Sequence, residues 1–116
     1  MKDTLINIHF VRLATYDKAA KGLLSDEEER ALENEIAQNP KVAPVITQTG
    51  GVRKIRIALR GRGKSGGARV LYLHIPAVEF VYLLFAYPKN VIDNITAAEK
   101  KIIRALVATL KAGHKG

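Results

Sequence analysis

The sequence predicts an α+β fold, a small antiparallel sheet with helices packed on it, forming a single domain over residues 1–116. Three observations carry this. Four segments are rich in β-branched and aromatic residues and are bounded by Gly, Pro or Asn. Two others open with helix-capping signatures and continue with apolar residues at helical spacing. The length suits one core, and a 47% hydrophobic content is ample to form it.

Residues Leu5 to Val11 read as the first strand. Tyr16 to Leu24 reads as a helical turn or short helix. Ser25-Asp26-Glu27-Glu28 is a capping box: the Ser25 hydroxyl can accept a first-turn N–H while Glu28 reaches back. The acids at 26–29 suit the positive end of a helix. Leu32 and Ile36 mark its apolar face, and Asn39-Pro40 stops it. Pro44 and Gly50-Gly51 punctuate a loop. Val52 to Leu59 is the next strand, with Ile55, Ile57 and Leu59 on one face and Lys54 and Arg56 on the other. Arg60 to Gly67 is a glycine-rich turn or loop, and Ala68 to Ile75 is a strand ended by Pro76. Phe80 to Tyr87 is apolar on both faces, so it is central or covered by a helix. Thr96-Ala97-Ala98-Glu99 is a second capping box, followed by Ile102, Ile103, Leu106, Val107 and Leu110 at helical spacing, with Gly113 ending the pattern. The expected order is β-α-α-β-β-β-α, with the helices on one face of the sheet.

Composition narrows the function. The chain has no Cys, which excludes disulfides, thiolate nucleophiles and Cys-bound zinc or iron–sulfur clusters. With three His and no carboxylate pair near the basic stretch, no metal site and no cofactor are expected. No apolar run approaches the ~18 residues of a membrane helix, and Met1 to Phe10 lacks signal-peptide features, so a cytoplasmic protein is expected. The net charge is +8, and its distribution is uneven. Six acids lie between Asp26 and Glu35, and then none occurs from Ile36 to Val78. That gap holds Lys41, Arg53, Lys54, Arg56, Arg60, Arg62, Lys64 and Arg69, a pattern suited to a polyanion.

Gly61-x-Gly63-x-x-Gly66 has dinucleotide-motif spacing, but that motif needs a helix after the glycines and a strand follows here. A P-loop would need glycine at position 58, which is Ala58. The loop instead reads as one that approaches a nucleic-acid backbone, with Arg62 and Lys64 contacting phosphates. If the flanking strands pair, Lys54, Arg56 and Arg69 converge. Converging cations either stabilise a phosphoryl-transfer transition state or form a binding face without chemistry. His74 and His9 read as structural, and His114 falls in a fraying tail.

Gly50-Gly51-Val52-Arg53-Lys54-Ile55-Arg56, the Gly61 to Tyr72 segment, Tyr82-Leu83-Leu84 and Tyr87-Pro88-Lys89-Asn90 together resemble the RelE/ParE toxin superfamily, most closely its HigB-like branch. The resemblance covers about residues 22–112. It implies a toxin of a type II toxin–antitoxin module. Such a toxin is an endoribonuclease that cuts mRNA in the ribosomal A site by metal-independent attack of the 2′-hydroxyl, and it is held silent by a cognate antitoxin. It also implies roles for residues. Lys54 would be base or electrostatic stabiliser, since nearby like charges favour a neutral amine, and Arg56 and Arg69 would clamp the transition state. Arg53, Arg60, Arg62, Lys64 and Lys89 would bind RNA. Asn90 to Thr96 carries neither the arginine nor the tyrosine that RelE has after its last strand, which leaves Tyr87 as the candidate acid–base. Two other functions fit such a chain: a ParE-like gyrase poison, which needs no converging cations, and an RNA-binding module without activity.

Overall fold

The structure, a computed structural model, describes residues 7–59, 67–89 and 94–114. Its strands are β1 (His9–Arg12), β2 (Arg53–Ile57), β3 (Ala68–Ile75) and β4 (Phe80–Pro88); its helices are α1 (Ala14–Ala20), α2 (Asp26–Gln38) and α3 (Ala97–Ala112). A 3₁₀ turn, Pro76–Val78, joins β3 to β4. The order along the chain is the expected one.

The four strands form one sheet in the order β1-β4-β3-β2. The β2–β3 and β3–β4 pairs are antiparallel, but β1 lies parallel to β4, with His9 opposite Phe80. The sheet is therefore mixed. The α1–α2 stretch carries the chain from β1 to the opposite edge before β2 begins, so β1 is not the arm of any hairpin.

The helices cover both faces rather than one. Tyr16, Ala20, Leu32 and Ile36 of α1 and α2 pack against Ile55, Val70, Tyr72, Val81 and Leu83. On the other face, Val107 of α3 packs with Val52, Leu71, Leu73, Leu84 and Tyr87. Alternate residues of β3 and β4 thus serve opposite cores, which is why both strands read as apolar throughout. Full burial of each such aliphatic side chain contributes about 1.5–3 kcal/mol.

Both capping boxes form. Ser25 Oγ accepts from the Glu28 N–H at 3.1 Å and Glu28 Oε1 accepts from the Ser25 N–H at 2.9 Å. Thr96 and Glu99 repeat the arrangement at 3.1 and 2.9 Å. α3 lies against the 46–51 loop, where Lys111 Nζ donates to the Gly50 carbonyl at 3.0 Å and Arg104 donates to that of Gln48 at 3.2 Å. Gly50 has φ +83°, and a Cβ there would stand 3.0 Å from Val107 Cγ1, so both the turn and the helix contact require glycine. At the other end of α3, His114 is docked rather than frayed: its Nε2 lies 2.6 Å from the Tyr82 hydroxyl, and its ring packs on Phe80.

Candidate active site

The pairing register builds the site. Arg56 of β2 lies directly opposite Arg69 of β3, and Arg69 lies directly opposite Tyr87 of β4. Directly opposed residues share a face, so Arg56, Arg69 and Tyr87 form a row across three strands. Tyr87 belongs to the core beneath α3, which places the row on that side. The next row on the same face is Lys54, Leu71 and Phe85. Lys54 stands two residues along the strand from Arg56, a spacing of about 7 Å.

The row lies at the end of the sheet where β2 leaves and β3 enters. Gly67 closes that end: its carbonyl accepts from the Lys89 N–H at 2.9 Å, and a Cβ on it would stand 3.0 Å from the Ile57 carbonyl oxygen. Glycine here lets β2 and β3 approach just where Arg56 and Arg69 meet.

Arg69 is 5% exposed. Among the described residues, its Nη1 reaches only the Ala68 carbonyl, at 3.5 Å, and no carboxylate forms a salt bridge with Arg69 or Arg56. Opposed like charges destabilise a strand pair, and a half-satisfied buried cation is costly. A phosphate group seated on the row would relieve both. Among the described residues, no three His, Asp or Glu side chains gather as metal ligands.

Sequence reasoning brought together Lys54, Arg56 and Arg69 on condition that the strands pair, and offered Tyr87 separately as the acid–base; the structure places all four on one face. Lys89 is exposed just past β4, at the same end of the sheet. Arg53 lies elsewhere. It is opposite Tyr72, on the α2 side, and its Nη1 donates to the Ala43 carbonyl at 2.6 Å. Tyr72 reinforces that corner by donating to the Pro40 carbonyl at 2.8 Å; burial pushes its phenol up from the ordinary value. Arg60, Arg62 and Lys64 lie outside the described residues.

Two features escaped the sequence reading. The β3–β4 register shifts between Leu71 and Tyr72, and Phe85, 40% exposed, sits beside Tyr87 with ring centroids 6.2 Å apart. Leu71 lies opposite Phe85 and Tyr72 opposite Leu83, so Leu84 is the bulged residue, and the neighbours Leu84 and Phe85 both face the α3 side. Next to Tyr87, a cavity of about 290 Å³ opens between α3 and the sheet, lined by Leu71, Leu84, Phe85, Ile95, Ile103 and Leu106 among others.

A family model described as the RelE toxin of the RelE/RelB toxin–antitoxin system matches residues 13–115. Among solved structures, the chain is similar to the free state of an E. coli toxin RelE double mutant. The TM-score is 0.51 and the identity 16%, over 86% of this chain and 96% of that one. At that identity the likeness speaks for the fold, which is the same mixed sheet and helices. The family match spans nearly the whole chain, and the protein belongs to the RelE toxin family of toxin–antitoxin systems.

Proposed function

We propose that this toxin, a HigB-like member of its family, acts in the cytoplasm as an endoribonuclease that cuts mRNA in the ribosomal A site. The observation that carries the reading is the in-register row of Arg56, Arg69 and Tyr87, with Lys54 beside it and, among the described residues, no carboxylate salt-bridged to either arginine.

In the proposed reaction, a substrate 2′-hydroxyl attacks the adjacent phosphorus. The O2′–P bond forms and the P–O5′ bond breaks, giving a 2′,3′-cyclic phosphate and a free 5′-hydroxyl. Arg56 and Arg69 hold the non-bridging oxygens as charge builds in the phosphorane. Their positions are fixed by the sheet before substrate arrives, so no reorganisation is needed at the moment of reaction. Lys54 takes the 2′-hydroxyl proton or stabilises its loss, and Tyr87 is the group placed to give a proton to the departing 5′-oxygen. Arg60, Arg62, Lys64 and Lys89 bind the RNA backbone around this centre. Arg53 instead braces the 40–45 segment through its bond to Ala43.

A cognate antitoxin silences the toxin by covering the row. A segment suited to this end of the sheet sets carboxylates against Arg56 and Arg69 and seats an apolar side chain in the neighbouring cavity.

The test is end-mapping of a defined mRNA in a purified translation system, with and without ribosomes, using the native chain and Arg69→Ala. Cuts confined to translated mRNA and lost with Arg69→Ala are the expected result. Cuts on naked RNA would mean a free ribonuclease. No cuts at all would sink the enzyme reading and direct attention to gyrase and to RNA binding without cleavage.

A further inference from the structure

The sheet has two edges, and the one opposite the cationic row is β1. Parallel pairing with β4 uses the backbone groups of alternate β1 residues: the His9 N–H donates to Glu79 at 2.9 Å and the Leu13 N–H to Leu83 at 3.1 Å. The N–H and C=O of Phe10 and Arg12 therefore point away from β4, and β1 pairs with no other described strand. An open edge of this kind is a template for another strand.

Along the same edge runs a cavity of about 310 Å³, lined by Ile8 and Phe10 of the β1 side and by Glu33, Asn34, Ala37 and Gln38 of α2. Its floor is apolar and its wall is acidic or amide. Glu33 Oε2 already accepts from Arg12 Nε at 3.0 Å, so the wall is pinned to β1. α2 carries six acids against the single cation Arg30, in a chain whose overall charge is +8.

The geometry points to strand addition: we infer that β1 receives an extended segment of a partner protein, with an apolar side chain seated between Phe10 and Ala37 and Lys or Arg side chains against α2. Charge excludes the simplest alternative. Twofold pairing of β1 with a second copy would set α2 beside α2 on one face of the joined sheet, acid against acid. A basic strand meets the opposite condition. This surface is independent of the cationic row and stands whether or not the chain cleaves RNA.

The test uses the intact chain and the peptide acetyl-Lys-Val-Arg-Ile-Lys-Val-Lys-amide, followed by fluorescence anisotropy and by amide hydrogen exchange read residue by residue. Bound peptide should slow exchange at Phe10 and Arg12. A peptide N-methylated at alternate residues should bind about ten-fold more weakly, as should one with Glu in place of Lys and Arg. Ala37→Arg should weaken binding to a similar degree with its circular dichroism unchanged. Absence of binding, or binding that leaves Phe10 and Arg12 unprotected, would overturn the inference. Equal binding by the N-methylated peptide would do the same, since it would show attraction to α2 alone. So would protection of Phe10 and Arg12 in the chain by itself. If that protection rose with concentration, a second copy would own the edge.

Discussion

Arg56 and Arg69 oppose each other across a strand pair, where a like-charged couple destabilises the sheet by up to about 1 kcal/mol. Such a cost at a defined place is the mark of a site selected for something other than stability. Arg56→Ala should therefore leave the urea unfolding midpoint unchanged or raise stability by as much as about 1 kcal/mol. The same change should slow cleavage of translated mRNA by about 10²–10³-fold, the usual effect of removing one transition-state donor. A loss of cleavage accompanied by an equal loss of stability would count against the role. Period-two alternation made the shared face of Lys54 and Arg56 readable from sequence. The same rule sends Arg53 to the other face with Ile55, a signal that its charge alone obscured. That Arg56 would meet Arg69 was not readable, because the register depends on how the intervening loop turns.

At the scale of elements, one polar cluster ties β1, α1 and α2 together. The Tyr16 hydroxyl donates to Glu29 Oε2 at 3.1 Å, while Arg12 donates to Glu29 at 3.4 Å and to Glu33 at 3.0 Å. Tyr16 is fully buried, and burial first, then the Glu29 charge and hydrogen bond, push its phenol well above the ordinary value. The unfolded chain releases that proton near pH 10 while the folded chain keeps it. The stabilisation is thus complete below about pH 10 and is lost as the pH rises through the folded value. Urea titrations from pH 7 to 11 should show stability falling above pH 10, with a shallower fall in Tyr16→Phe, which should also cost about 1–2 kcal/mol at pH 7. An unchanged alkaline limb would mean that other groups control it. Local chemistry made these elements legible: Ser25 with Glu28 and Thr96 with Glu99 announced their helices, and Pro76 ended β3. Partner choice was hidden. Nothing within His9–Arg12 states that it will lie parallel to β4. The alternation of Leu71 and Leu73 with Val70 and Tyr72 did carry the second covered face, but it shows only that β3 is buried on both sides, not which helix does the covering.

Over the whole molecule, charge is segregated: α2 is acidic on one face of the sheet, and Lys54, Arg56 and Arg69 lie on the other. Affinity for a short single-stranded RNA should fall with salt, the log–log slope becoming shallower by about 0.7 for each phosphate-contacting cation removed. Arg56→Ala should show that change, whereas Arg53→Ala, altered on the opposite face, should leave the slope as it was. Equal effects of the two would mean diffuse attraction rather than a defined track. The parallel pairing of β1 with β4 has a consequence in time. The first strand to be synthesised waits about seventy residues for its neighbour, a long-range pairing whose loop-closure cost must be met before it forms. The arginine row has the same dependence, since its third member, Tyr87, arrives with β4. A nascent chain carrying Arg56 and Arg69 alone has the charges but not the frame that aligns them, so the proposed cleavage can begin only once the frame closes.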